Sequence, residues 1–273
     1  MYIGGGDMSL ADLIADVETV KPLEQRFLED FVKAHIEVSV RSDQPIPKDY
    51  TRPSSLGGCM RTIYFMRTGA KRDPFNTHNK MEVNSLGILE SGTDRHARIQ
   101  EVVKVMEEQG NLVNLDIEDV VKQANEKGIN TEFIGWNEDH TEARCCNKDD
   151  GIYFQPDGCF CYGGETMLLE IKTCSVNRLK QVQKKQTPFP EHLTQATAYA
   201  MGLGLDKVLY FYECRDNTER YPILVTITDE MKQQVRNKLH SIDEYIERHE
   251  VPPMDTKHCF FCKYKKACKE CGA

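Results

Sequence analysis

The sequence predicts an α/β (α+β) domain with helical extensions, and three observations lead there. Segments of helical period flank the chain, short β-rich pieces bounded by turn residues fill residues 131–173, and a cysteine-rich tail closes it. Of 273 residues, 40% are hydrophobic, enough for a sizeable core, which excludes wholesale disorder. No apolar run approaches the roughly 18 residues of a bilayer span, and the first residues lack the basic flank and cleavage site of a signal peptide. The expectation is a soluble cytoplasmic protein with no membrane partner, in the host cytoplasm if the chain is viral.

Each element follows in order. Residues 9–40 carry apolar residues at three-to-four spacing, broken near Lys21-Pro22, which predicts two short amphipathic helices. They form an N-terminal helical arm over 1–50, and 51–273 is the main domain. A polar linker (41–53) leads to SSLGGCMRTIYFMRTG, where Ser54 or Ser55 is positioned to cap a short helix carrying Cys59. After a loop at 69–84, a longer helix runs from Leu86 to Gln109 and stops at Gly110. The pieces TEFIGW, EARCCN, GIYFQPDGCFCY and TMLLEIKT predict a mostly antiparallel sheet. VNRLKQVQKKQ and EHLTQATAYAMGLGL read as helices separated by Pro188 and Pro190. DKVLYFYECR and RYPILVTI read as two further strands, and a long helix follows with Thr228 as its cap.

Lys and Arg number 35 against 43 Asp and Glu, a net charge of −8, which excludes a protein that coats nucleic acid by bulk charge and leaves a local basic groove open. Eleven cysteines, an odd number, argue for metal ligands plus buried thiols over a disulfide framework. Cys259, Cys262 and Cys268 form C-x2-C-x5-C, a spacing that points two thiolates at one ion and adds a third after a short loop. The fourth ligand is Cys271, His258 or the distant Cys59. The first choice is a local zinc knuckle; the last is an iron–sulfur cluster stapling the chain ends. Cys145, Cys146, Cys159, Cys161, Cys174 and Cys214 sit in or beside predicted strands and read as core thiols.

Asp157, Glu170 and Lys172 make the second constellation. Glu170 and Lys172 lie two apart on a strand and so share a face. Two carboxylates on a hairpin, with the carbonyl of Ile171, are oxygen donors suited to Mg²⁺ or Mn²⁺, and a lysine beside them orients or deprotonates water and stabilises a phosphorane. Gly92, His96 and Gln100 recur every four residues on one helix face, which makes His96 a candidate nitrogen ligand. Gln195 and Tyr199 stack on another helix.

In this order the residues resemble the RecB-like branch of the PD-(D/E)XK nucleases: Pro156-Asp157 and Glu170-Ile171-Lys172 spell the name motif. With Cys59 and the C-terminal cysteines, the pattern is similar to the iron–sulfur members of that branch, the CRISPR-associated exonucleases and AddB-type nuclease domains. The resemblance covers about residues 54–270 and implies a restriction-endonuclease-like core with a mixed central sheet flanked by helices. It implies metal binding by His96, Asp157, Glu170 and Ile171, with Lys172 catalytic and Gln195 and Tyr199 positioning DNA and the lysine. Cys59, Cys259, Cys262 and Cys268 would hold a [4Fe–4S] cluster, zinc being the alternative. The expected function is a metal-dependent deoxyribonuclease, an exonuclease on DNA ends or single strands in recombination, repair, replication or CRISPR-related processing. Arg178 and Lys180 are expected to touch DNA, and a helicase or a recombination or adaptation protein is the expected partner. The rival is a non-catalytic DNA-binding or assembly subunit that keeps the fold. A long insertion (110–145) and Cys271 depart from the pattern. No G-x4-G-K-[ST] phosphate loop occurs, so the sequence carries no helicase motor.

Overall fold

The computed structural model describes residues 22–42, 47–74, 80–137, 142–260 and 262–271. The helix expected over 9–20 lies outside them. The chain divides into two compact units, residues 1–44 with 75–86, and residues 45–74 with 87–273. In the first unit, α1 (Leu23–Ser42) starts directly after Pro22, whose carbonyl accepts the amides of Gln25 and Arg26 at 3.0 Å each. It continues two residues into the expected linker. Leu23, Phe27 and Phe31 lie exposed along it.

The second unit begins with a 3-10 turn at Pro53–Ser55 and α2 (Met60–Arg67). Cys59, and neither serine, stands at the cap position, because both serines belong to the 3-10 turn that ends four residues earlier, where the Ser55 hydroxyl donates to the Arg52 carbonyl at 2.6 Å. The long helix α3 (Lys80–Glu108) starts six residues before the expected Leu86, so the expected loop is shorter; it stops before Gly110, whose φ of 73° suits glycine. The region expected to be an insertion carries β1 (Val113–Asn114), an unexpected α4 (Ile117–Glu126) and β2 (Thr131–Trp136). Asp116 caps α4 by accepting the Glu118 amide at 2.8 Å, and Ile117, Val120, Val121 and Ala124 bury one face.

The β-rich middle splits between two sheets. Strands β2, β3 (Ala143–Asn147) and β4 (Ile152–Phe154) form an antiparallel sheet. The central sheet, in the order β1-β5-β6-β7-β8, contains β5 (Gly158–Tyr162), β6 (Glu165–Cys174), β7 (Lys207–Cys214) and β8 (Arg220–Thr226). GIYFQPDGCFCY is therefore two strands of different sheets: Pro156 offers no amide to a ladder, so pairing lapses between β4 and β5. β6 runs antiparallel to β5 and parallel to β7, which makes the sheet mixed. A parallel pair needs a crossover, supplied by α5 (Val176–Lys185) and α6 (Pro190–Leu203).

This topology fixes which way the central strand's side chains point. Alternation sends Leu168, Glu170 and Lys172 to one face and Leu169 and Ile171 to the other. The first face packs with Tyr210, Tyr212 and Ala196 in the main core; the second meets Ile99 of α3 and Phe160 in a smaller core. Leu168 and Val208 are fully buried, each contributing about 2 kcal/mol relative to exposure. Helix α7 (Asp229–Glu247) is capped by Thr228 as expected, its hydroxyl accepting the Met231 amide at 3.3 Å. A 3-10 turn (Thr256–His258) and α8 (Lys265–Glu270) end the chain. Among the bonds that tie this tail down, Arg61 Nε donates to the Pro252 carbonyl at 2.6 Å and the Asp73 amide to the Lys263 carbonyl at 2.7 Å.

Candidate functional site

Asp157 sits one residue before β5, where the β5–β6 ladder has run out at the pair Gly158–Leu169. Its side chain takes over the ladder's role: Oδ2 accepts the Ile171 amide at 2.6 Å. The other oxygen, Oδ1, lies 3.0 Å from His96 Nδ1, and Gln100 Nε2 donates to the Asp157 carbonyl at 2.8 Å. His96 and Gln100, one turn apart on α3, thus clamp the aspartate from one side. Gly92, one turn earlier, lets α3 pack close to β6: a Cβ there would lie 3.5 Å from the Thr173 hydroxyl.

On β6, Lys172 Nζ meets Glu170 Oε1 at 2.5 Å and donates to Gln195 Oε1 at 3.0 Å. Gln195 Nε2 in turn donates to the Tyr199 hydroxyl at 2.8 Å, and the Tyr199 ring stacks on Phe154. The Gln195-x3-Tyr199 spacing places both residues on the inner face of α6, so the lysine is held by a relay across the core.

Glu170 is 1% exposed, and beyond its ion contact with Lys172 neither carboxylate oxygen makes a hydrogen bond of good geometry. Burial pushes its carboxyl up to about 7; the Lys172 charge opposes this and Asp157 adds to it. Burial works to lower His96 and Lys172, but the Asp157 charge and hydrogen bond raise the imidazole, and Glu170 with Asp157 raises the ammonium. Lys172 is thereby kept protonated. A pocket of about 320 Å³ joins these groups, with His96, Asp157, Glu170, Lys172, Gln195 and Tyr199 on its walls.

Three further residues on the walls escape motif reading. Glu142, just before β3, faces the pocket with its carboxyl raised by burial and by Asp157, and Gln155 Nε2 lies 3.4 Å from its Oε2. Gln155 and Arg52 line the same space. No spacing marks any of the three, because they reach the site through the small sheet and the segment before the 3-10 turn. Nearby, His192 on α6 lies 2.8 Å from the Tyr212 hydroxyl, with burial and the Lys172 charge lowering its imidazole to about 3.

Arg178 does not line the pocket; it pairs with Glu191 at 2.7 Å and stacks over Phe189 at 3.8 Å, while Lys180 is exposed on α5.

The cysteines gather elsewhere in the second unit. The residues following Cys59 reach the tail: Arg61 donates to Cys268 Sγ at 3.0 Å, and the Thr62 hydroxyl lies 3.7 Å from Cys262 Sγ. The Tyr264 amide also points at Cys262 Sγ, at 3.4 Å. Desolvation raises the Cys259 thiol, and the nearness of Cys262, Cys268 and Cys59 raises it further. Cys271 is exposed. Among the aromatics, Phe65 and Tyr264 are buried with ring centroids 5.9 Å apart, so they pack, and Phe260 is exposed; Phe261 lies outside the described residues. Cys145, Cys146, Cys159, Cys174 and Cys214 are buried as expected, whereas Cys161 is only partly so. Among the described residues, no three His, Cys, Asp or Glu side chains stand in metal-holding geometry. No helix of the described residues is long and apolar enough to cross a membrane.

No protein-family model and no curated protein matches the chain. Among solved structures it is similar to SSO0001, at 14% identity and a TM-score of 0.45, over 89% of this chain and 96% of that one. It is also similar to the alkaline exonuclease LHK-Exo from Laribacter hongkongensis, at 18% identity and a TM-score of 0.32, over 47% of this chain and 62% of that one. With LHK-Exo in complex with dAMP the values are 15%, 0.41, 70% and 78%. The mixed central sheet flanked by helices is consistent with a restriction-endonuclease-like core.

Proposed function

We propose that the chain is a divalent-metal-dependent deoxyribonuclease of the RecB-like PD-(D/E)XK kind, an exonuclease acting on DNA ends or single strands. The observation that carries this reading is Glu170: a buried carboxylate whose two oxygens lack hydrogen bonds, in one pocket with Asp157, His96 and Lys172. With Lys172 as its one ion contact, the buried Glu170 is incompletely compensated, and a divalent cation would complete its pairing. Asp157, Glu170, His96 and the Ile171 carbonyl would hold Mg²⁺ or Mn²⁺. Such an ion supplies Lewis-acid polarisation of the phosphodiester and lowers the pKa of bound water.

The chain's own groups do the rest. Lys172, kept protonated, serves as a cationic donor to the phosphate rather than as a base. Gln195 and Tyr199 fix its direction. Arg52 on the pocket wall supplies a local positive charge in a chain of net charge −8. Cys59, Cys259, Cys262 and Cys268 would hold a [4Fe–4S] cluster that clamps the tail, with Cys271 outside it; the gathered thiols and the donors aimed at two of them support this reading over a local zinc knuckle. A role in recombination, repair or replication, with a helicase as partner, is the corresponding expectation.

Digestion of 5′- and 3′-labelled single strands with Mn²⁺ tests the site. Lys172→Met and Asp157→Asn should each lower the rate by about a thousandfold or more while circular dichroism stays unchanged. Cutting that survives both changes would overturn the assignment, and DNA binding without cutting by the unmodified protein would favour the non-catalytic subunit.

A further inference from the structure

The face of the central sheet opposite the acidic site is incompletely covered. Helix α3 crosses it, and between helix and strands lies a second pocket of about 150 Å³, walled by Val102 and by Tyr162, Leu209 and Phe211 of the strands. Val102 is 49% exposed and Tyr162 53%, and Leu224, which pairs with Leu209 in the β7–β8 ladder, is 53% exposed. Exposed large apolar side chains from three elements around one pocket are a feature of interaction sites.

The ends of the groove differ in charge. At one end Glu213, 0% exposed, accepts Arg95 Nη1 at 2.8 Å, Arg98 Nη2 at 2.5 Å and Arg220 Nε at 3.1 Å. Three cations around one carboxylate leave a surplus of two positive charges. Arg98 and Arg220 line the pocket with their side chains 44% and 52% exposed. The buried carboxylate holds them in place, which lowers the entropy they lose on meeting a further anion. At the other end Lys207 is paired with Glu165 at 2.5 Å, so the charge there is balanced. The six residue steps from 207 to 213 on β7 separate the two ends by about 20 Å, the span of a short extended peptide.

We propose that this groove docks a partner protein through a short segment combining acidic and large apolar residues, the acidic end lying on Arg98 and Arg220 and the apolar side chains on Val102, Tyr162 and Phe211. The proposal is independent of the nuclease reading: the groove lies on the other face of β6 from Lys172.

The test is fluorescence anisotropy on the full chain, with a fluorescein-labelled octapeptide carrying Asp residues at one end and Leu and Phe along the rest as the probe and its Lys-for-Asp counterpart as the control. Saturable binding of the acidic peptide alone is expected. Leu224→Asp and Arg220→Ala, both at exposed positions, should each weaken it at least tenfold without changing the circular dichroism or the rate of DNA digestion. Val102→Asp supplies a third readout from α3, so misfolding of one variant leaves the test intact. Absence of saturable binding would overturn the proposal, as would binding indifferent to all three changes or equal binding of the Lys peptide. Sedimentation that reveals a dimer dissolved by Leu224→Asp would assign the groove to a second copy of the chain and would also overturn it.

Discussion

The acidic pocket and the cysteine cluster are built in opposite ways. In the pocket the motif groups face one another: His96 faces Asp157, Lys172 faces Glu170, and Gln195 holds the lysine. The strands that present these groups are ordered by ladders and by the core on both faces. The cysteines are gathered from positions about 200 apart in sequence by a few side-chain bonds, chiefly those of Arg61 and Thr62. Cys262 and Cys268 are only partly buried. An arrangement made by the sheet is held by backbone ladders, whereas the proposed cysteine site, joining Cys59 to the tail, would depend on the group its thiols hold.

Removing cysteines tests that contrast most severely. Cys59→Ser should abolish bound metal, release the tail to proteolysis and leave the secondary structure of the sheet intact, whereas Cys271→Ser should leave metal content unchanged. Elemental analysis and limited proteolysis of anaerobically purified protein give both readings. Equal metal in wild type and Cys59→Ser would mean that the tail binds its ion alone.

The next effect concerns the strip of structure joining the two regions. The loop before Cys59 leans on the start of α6: a Cβ at Gly57 would lie 2.5 Å from Glu191 Cβ and 2.9 Å from Glu191 Cα, both at the root of a helix. Nearby, Lys238 Nζ donates to the Leu56 carbonyl and, at 3.3 Å, to that of Gly58. Gly57→Ala must therefore displace α6, which carries Gln195 and Tyr199. It should cost about 1–3 kcal/mol, read as a lower melting temperature, and should lower cutting as well. If cutting is unaffected while the melting temperature falls, the cysteine region and the pocket are mechanically separate.

Metal affinity sharpens the comparison further through its pH dependence. Glu170 has a folded-state value near 7, above its unfolded one, so between the ordinary glutamate range and pH 7 the folded chain binds an extra proton. That contribution to stability is complete at low pH and lost as the pH rises through 7. A divalent ion needs the ionised form, so Mn²⁺ affinity should rise about tenfold from pH 6 to pH 8. The Mn²⁺-induced gain in melting temperature should follow the same trend. Affinity flat over this interval would show that Glu170 is not a ligand.

What the sequence conveyed divides along the same line. Strand alternation and helix period put Glu170 with Lys172 and Gln195 with Tyr199, because those pairs lie within single elements where local geometry decides. The helix α4 also left its mark in Ile117, Val120, Val121 and Ala124, yet it lay in a stretch read as an insertion. Glu142 and Arg52 left none, since only tertiary packing brings them to the pocket. The division of GIYFQPDGCFCY between two sheets was hidden for a similar reason: both halves alternate like strands, and pairing partners are chosen by the rest of the fold. Arg178, a cation next to the motif, has partners that no spacing announces: its charge pairs with Glu191 and its plane stacks on Phe189.

The smallest predicted effect isolates the relay behind the lysine. The Tyr199 hydroxyl accepts from Gln195 at 2.8 Å, and Gln195 accepts from Lys172 at 3.0 Å, so Tyr199→Phe removes only the far end of the chain of bonds. The ring keeps its place against Phe154, and the Gln195 amide is left with an unmade bond worth about 1 kcal/mol. The rate of DNA cutting should therefore fall a few-fold through kcat, with KM and Mn²⁺ affinity unchanged, because Lys172 and the carboxylates stay in place. Gln195→Ala, which strips the lysine of its neutral partner, should lower kcat further. If Tyr199→Phe instead raises KM at constant kcat, the hydroxyl serves binding, and Gln195 rather than the pair positions Lys172.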